Sequence, residues 1–309
     1  MSQERQPVQS PALLCDSVNR PSSTFDAPDW WPSLAVLPAL RLRCRLFVSP
    51  GTTTPSAGEV RGAIGHQLMG LADRRALECF FPSSRGDREM AFLGHASPWA
   101  LHVTHDGWLE VGVFADGVMH WVALFSALIK AAEGRIGNHR GLALGPFEHQ
   151  QHLVDGLWTA GLPAVNGAWL LPALPAYAPQ LLLLSPLRLR REGRDVGARD
   201  LSFRDIAASL MRRSSALLRQ AGLELPPWQA RALLEAVPVP GFVEADWARE
   251  SVARYSQRQE QAMRLNGVRG SGRVDTAALT PLWPLLWMGQ VLQVGKTTCL
   301  GMGRYVLEE

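Results

Sequence analysis

A chain of 309 residues that is 47% hydrophobic and 19% charged is long enough for two modest domains and has the composition of an ordinary packed core, which excludes a disordered or fibrous protein. No uncharged apolar run of about eighteen residues occurs and the polar segment Met1–Ser10 lacks a signal pattern, so a cytoplasmic location and no membrane contact are expected. The net charge of +3 is unevenly spread, with 18 Lys/Arg against 13 Asp/Glu from Ser185 onward and 13 against 15 before it, and Cys15, Cys44, Cys79 and Cys299 show neither metal-ligand nor disulfide-framework spacing.

Residues 1–37 are rich in Pro, Ser and Gln and read as a flexible tail anchored at most by Trp30 and Trp31. Ala39 to Val48 alternates apolar Leu40, Leu42, Cys44 and Leu46 with Arg41, Arg43 and Arg45, the period-2 signature of a half-buried strand. Ser56 with Glu59 three residues on has capping-box spacing, and Val60, Ile64, Leu68 and Leu71 succeed it at helical intervals. After a loop from Phe81 to Pro98, Trp99–Val103 and Trp108–Phe114 flank the Asp106-Gly107 turn as a hairpin. An apolar helix over Met119–Ala132 ends before Gly134, and Leu142–Phe147 with the residues just after it supplies a fourth strand.

Ala160 to Pro179 contains Pro163, Pro172, Pro175 and Pro179 and reads as a linker. The same order then recurs: a strand at Gln180–Arg190, an amphipathic helix at Ser202–Gln220, strands at Val243–Arg258 and Ala262–Val274, a helix at Pro281–Leu292 and a last strand at Arg304–Glu308. The pattern predicts an α+β chain of two tandem ferredoxin-like βαββαβ domains, residues 38–159 and 180–309, joined by a linker at 160–179.

Only Lys130 and Lys296 among the 31 basic residues are lysines, and arginine is the side chain suited to bidentate phosphate contacts and to stacking on bases. The run from Val294 to Tyr305, with Gly295, Gly301 and Gly303, resembles the glycine-rich loop that closes proteins of the RAMP superfamily. Leu184–Arg188, Leu210–Arg213, and Trp247 followed by Arg254, Tyr255, Ser256, Arg258 and Gln259 are similar, in the same order, to the C-terminal domain of the Cas six endoribonucleases. Val60–His66 and Gly134–Gly137 resemble segments of the first half of such proteins. The resemblance implies a metal-independent endoribonuclease that processes precursor crRNA. It would bind CRISPR repeat RNA, with other CRISPR effector subunits as further partners, and cut by attack of the ribose 2′-hydroxyl to leave a 2′,3′-cyclic phosphate and a 5′-hydroxyl. No metal and no cofactor is implied.

Such a reaction needs a base, an acid and cations for the developing charge. His66 is placed where the family usually carries its histidine, a side-chain type able to act as base or acid; Lys296 projects from the glycine-rich loop; Tyr255 lies on a strand expected to border the cleft between the halves. These three are the catalytic candidates. Candidate RNA contacts are Arg61 on the first helix; Arg204, Arg212 and Arg213 on the arginine-bearing helix; Arg254, Arg258, Arg269 and Arg273 on the long strands; and Gly295, Gly301 and Gly303, where bare backbone suits close approach to phosphate or positive φ. His149 and His152 form an HxxH pair without a well-spaced third ligand, so surface or structural roles are expected. Gly289 to Gly295 leaves one residue too many for a phosphate-binding P-loop. The alternative functions are a non-catalytic RAMP subunit that binds guide RNA and a stand-alone RNA-binding protein of the RRM type, although the aromatic ring-stacking consensus of the latter is not evident on the expected central strands.

Overall fold

The computed structural model describes residues 29–71, 73–82, 96–154, 156–163, 166–223, 227–239, 241–256 and 261–308. The first half runs α1 (Trp31–Ala35), β1 (Ala39–Phe47), α2 (Ala57–Gly70), α3 (Arg74–Phe80), β2 (Trp99–Val103), β3 (Trp108–Phe114), α4 (Trp121–Glu133), then the short strands β4 (Arg135–Ile136), β5 (His139–Arg140), β6 (Ala143–Leu144), β7 (Glu148–Gln150) and β8 (Trp158–Ala160). The second runs β9 (Gln180–Leu187), β10 (Arg190–Arg191), β11 (Arg194–Asp195), α5 (Phe203–Gln220), α6 (Pro227–Glu235), β12 (Phe242–Ser256), β13 (Gln261–Val274), α7 (Thr276–Leu279), α8 (Trp283–Leu292) and β14 (Tyr305–Glu308). The expected order of long elements holds; the helices α1, α3, α6 and α7 are additions.

Local chemistry fixes the main boundaries. Ser56 and Glu59 form a reciprocal capping box at the start of α2, and Ser202 and Asp205 form another at the start of α5. The Asp106-Gly107 turn joins β2 to β3, with Gly107 at φ +89°. The fourth strand comes slightly later than expected: β7 pairs with β1 at Arg43↔Glu148 and Leu42↔His149, while β6 pairs only with the last residues of β1.

The first sheet has the order β2-β3-β1-β7-β8 and the second β12-β13-β9-β14, and neighbouring strands in both run antiparallel. In each half the opening strand lies between the third long strand and the last. One face of the first sheet, through Leu40, Leu42, Leu101, Leu109 and Val111, packs on α2 and α4. At the other face, Ala39, Ala100 and Phe114 share one core with α5, α8 and the second sheet. Helix α8 is buried nearly all round because it is covered from both sides. The segment expected to be a linker is pinned by tryptophans: Trp169 donates to the Leu37 carbonyl at 2.8 Å, and Trp283 and Trp287 donate to Pro172 and Leu170 at 3.0 Å.

The halves are joined through charge as well as apolar packing. Glu110 on β3 accepts from Arg41 of β1 at 2.8 Å and meets Arg304, just before β14, at 3.5 Å. Arg41 also donates to Gln150 at 2.7 Å and to the Leu153 carbonyl at 3.1 Å; Arg304 donates to the Tyr305 carbonyl at 2.7 Å and to that of Gln290. Both arginines are buried. Burial alone would raise the pKa of Glu110, but the charges of Arg41 and Arg304 outweigh it and hold the carboxyl at about 2. His102 lies beside Glu110 in the strand register, and its burial, opposed by Glu110 and assisted by the arginines, pulls its pKa down to about 4.

Both shifts act in the same direction on folding. His102 binds its proton more weakly folded than unfolded, so its contribution is complete above pH 6.5 and is lost as the pH falls toward 4; that of Glu110 is lost from about pH 4.5 toward 2. The full His102 shift corresponds to stability on the order of 3 kcal/mol. Urea unfolding at pH 7, 5.5 and 4 should therefore show a steep fall for the native chain and a shallower one for His102→Gln. Equal slopes would remove His102 as a source of acid sensitivity.

Candidate functional site

The segment between α8 and β14 crosses the seam between the halves. Gln293 at its start is buried and donates through Nε2 to the Leu101 carbonyl of β2 at 3.1 Å. The Lys296 amide donates to the Arg188 carbonyl at 2.8 Å, the Gly295 amide to Ser209 Oγ at 3.1 Å, and the Gly303 amide to the Pro186 carbonyl at 2.9 Å. Gly295, Gly301 and Gly303 have φ of +89°, +84° and +76°. A Cβ on Gly303 would stand 1.7 Å from the Val294 carbonyl oxygen, and one on Gly301 would stand 2.6 Å from Ala57 Cβ. The expected positive φ is present at all three, whereas the amides of Gly295 and Gly303 are spent inside the protein rather than held open to phosphate. The glycines let the loop seat itself against β9 and the first turn of α2.

The three catalytic candidates occupy separate elements. His66 is exposed on α2, eight residues past Gly58, where Leu300 of the loop packs; that separation is about 12 Å along the helix axis. Lys296 is exposed on the loop and, among the described residues, has no ion-pair partner. Tyr255 sits near the end of the β12–β13 ribbon, its side chain outside the described residues. The register of β13 on β9 ends at Val268, opposite Arg249, yet β12 and β13 stay paired to Ser256↔Gln261, so the ribbon continues for roughly 20 Å beyond the sheet. No hydrogen bond joins His66 to Lys296 among the described residues.

The candidate arginines divide by exposure. Arg212 is exposed on α5, whereas its neighbour Arg213 is buried, donating to the Leu292 carbonyl at 2.7 Å and the Trp99 carbonyl at 3.5 Å with its guanidinium over Phe114. The expected phosphate contact at Arg213 is corrected accordingly: α5 is covered on two sides, and this side chain fastens the seam. Burial lowers its pKa to about 10, which leaves it charged at neutral pH. Arg204 donates to the Val237 carbonyl at 2.6 Å. Arg61 lies over the Phe81 ring at 4.5 Å, with its Nε buried and unpartnered. Arg269 and Arg273 face Glu250 at 3.4 Å and Glu244 at 3.7 Å. The Arg254 side chain and the whole of Arg258 lie outside the described residues.

Other basic residues, not singled out by sequence, gather near the loop. Arg190, Arg191 and Arg194 are exposed on the β10–β11 hairpin. Arg188 and Arg249 line a shallow cleft with Asp195, Asn266 and Gly267, beside the Lys296 amide bound to Arg188. The Arg/Gly-rich turn Leu189–Gly197 carried the signal. His149 and His152 fall on β7 and in the turn after it, with His149 Nδ1 facing the Gly161 carbonyl at 3.3 Å.

Residues 181–305, from the first strand of the second half through the loop and into β14, match the family model of the CRISPR-associated endoribonuclease Cas6. The segment is thus similar to the Cas6 family. Among solved structures, a Cas6 product complex is 17% identical and covers 87% of this chain and 99% of that one with a TM-score of 0.54. Cas6 of Thermus thermophilus is 15% identical over 88% and 99% at 0.53. A chain of a partial Cas6-RT-Cas1–Cas2 complex is 12% identical, covering 88% of this chain and 46% of that one at 0.52. These likenesses are of fold, and they extend the match from the Cas6 segment to the first half. No protein of curated function matches the sequence.

The seating of the loop yields a test independent of RNA. Gly301→Ala should destabilise the chain by roughly 1–3 kcal/mol, the cost of overpacking a tight contact, and Ala57→Gly in the same chain should recover part of the loss by vacating the opposing methyl. Thermal unfolding of both single variants and the double checks it; strict additivity would show that the loop does not rest on α2.

Proposed function

We propose that the chain is a metal-independent endoribonuclease that binds CRISPR repeat RNA and cleaves precursor crRNA by attack of the ribose 2′-hydroxyl, leaving a 2′,3′-cyclic phosphate and a 5′-hydroxyl. It is built of two ferredoxin-like domains, residues 38–159 and 180–309, with 160–179 connecting them; residues 29–37, expected as part of a flexible tail, instead pack into the core through Trp30, Leu34 and Leu37. The observation that carries this reading is the Cas6-family segment whose closing loop is seated on the first turn of α2. The strand orders support the two-domain assignment, since each half places its opening strand between its third long strand and its last.

In this reading RNA phosphates lie over Lys296, the β10–β11 arginines, Arg212 and the arginines of the β12–β13 ribbon, where positive charge is exposed beside the loop. His66 supplies proton transfer from α2, Lys296 neutralises charge developing on phosphorus, and Tyr255 enters from the ribbon. A bound RNA strand that bridges α2, the loop and the ribbon would bring the three to one scissile phosphate. The second reading is an RNA-binding subunit without catalysis. It is favoured by the placement of His66 about two helical turns along α2 from the point where the loop packs, with no hydrogen bond or ion pair to Lys296 among the described residues.

Labelled repeat RNA incubated with the protein in EDTA separates the two. One cut at a fixed position with a cyclic phosphate end is expected; tight binding without product supports the subunit, and a strict need for divalent metal overturns the mechanism. His66→Ala should slow single-turnover cleavage about 100-fold or more at nearly unchanged affinity, the usual scale for loss of a general acid or base.

A further inference from the structure

The loop between α8 and β14 has two arms of one construction. Gln293-Val294-Gly295 and Gly301-Met302-Gly303 each set a buried apolar residue between two positions of positive φ, and the Val294 amide joins the arms by donating to the Gly303 carbonyl at 2.9 Å. Three of those four positions are glycine, the residue that takes this backbone without steric cost. The fourth is Gln293, at φ +59° and ψ 160°, a region populated almost only by glycine. The backbone alone favours glycine there, so the reason for the glutamine lies in its side chain.

That side chain spans the seam. Strand β2 is the edge of the first sheet, and the carbonyls of Trp99 and Leu101, two residues apart and so turned the same way, accept from the second half: Trp99 from Arg213 at 3.5 Å and Leu101 from Gln293 Nε2 at 3.1 Å. The Oε1 of Gln293 is buried without a hydrogen-bond partner among the described residues, a second cost added to that of the backbone. One ordinary hydrogen bond gains less than a strained backbone and an unmet buried acceptor cost together, so stability does not account for the glutamine. What the glutamine does is set a distance. Lys296, three residues on, stands between two anchors on the first half, Gln293 at β2 and Gly301 against Ala57 of α2, and α2 also carries His66.

We propose that Gln293 is a positioning residue for cleavage: by holding the first arm of the loop to the Leu101 carbonyl, it fixes Lys296 relative to α2. The inference rests on the endoribonuclease reading above and deepens it, since the buried Gln293 acts through Lys296. Glycine in its place relaxes the backbone and frees the loop to shift. Methionine keeps the length and the strained backbone and loses the donor.

The test compares the full native chain with Gln293→Gly, Gln293→Met, Lys296→Ala and the double variant that combines Gln293→Gly with Lys296→Ala. Thermal unfolding should place Gln293→Gly above Gln293→Met, because only glycine relieves the backbone. Both should nevertheless cut repeat RNA in EDTA at least about tenfold more slowly than the native chain in single turnover at saturating protein, the scale of a misplaced reacting group, with affinity within about twofold of native. In the Lys296→Ala background, Gln293→Gly should add less than about a twofold loss, since the two residues act as one unit. Native-rate cleavage by either single Gln293 variant, rates that follow the melting temperatures, or a full tenfold loss on top of Lys296→Ala would overturn the inference and leave Gln293 a packing residue. A native chain that binds repeat RNA without cutting it removes the endoribonuclease reading instead. Gln293 is then judged by hydrogen exchange: peptides covering Val294–Gly303 should exchange faster in Gln293→Gly than in the native chain while those of β9 stay unchanged, and equal protection of the loop overturns its anchoring.

Discussion

The carboxylate of Glu110, held between Arg41 of its own sheet and Arg304 of the other half, is the constraint on which the rest of the arrangement depends. Two buried guanidiniums without that carboxylate would face each other in a poorly hydrated seam, and removing one partner of such a group typically costs about 3–5 kcal/mol. The network also fixes direction. Arg304 sits where the glycine-rich loop ends and β14 begins, and its donors reach the Gln290 and Tyr305 carbonyls, so the charge that ties the halves together ties down the loop at the same point.

From this seam the chain divides its arginines into two populations. Arg41, Arg213 and Arg304 are buried and consumed by carbonyls or by Glu110. Arg45, Arg190, Arg194, Arg212 and Arg249 remain at the surface. The buried set orients the two sheets; the exposed set supplies the positive surface of both halves. The glycines belong to the first job rather than the second, since their missing side chains admit backbone and the Ala57 methyl.

Most of the architecture was legible because it is written in local signals. The alternation of Leu and Arg along Ala39–Phe47, the Ser56–Glu59 capping box and the Asp106-Gly107 turn each specify a short stretch by themselves. The features that were not legible depend on partners distant in sequence. Arg213 looks like its neighbour Arg212 in the helical repeat; only the packing of α5 between the second sheet and the Trp99 strand distinguishes them. Gly301 reads as a place where bare backbone could approach phosphate or take positive φ until Ala57, far away in the chain, is placed against it. The placing of Arg43 between Trp108 and Trp158 was not legible for the same reason, because the two tryptophans belong to different strands and reach Arg43 only through the register of β1, β3, β7 and β8. The catalytic candidates came from resemblance, and their separation in the fold is where local reading stops.

The most direct measurement of the seam is urea unfolding monitored by hydrogen exchange and mass spectrometry, comparing peptides from β1–β3 with peptides from β9–β14 in the native chain and in Glu110→Gln. The native chain is expected to lose protection in both sheets at one urea concentration. In Glu110→Gln the midpoint should fall and the two sets of peptides should part, because the arginines of the two halves no longer share a carboxylate. An unchanged midpoint, with both sheets still opening together, would contradict the claim that this buried carboxylate holds the two halves as one unit.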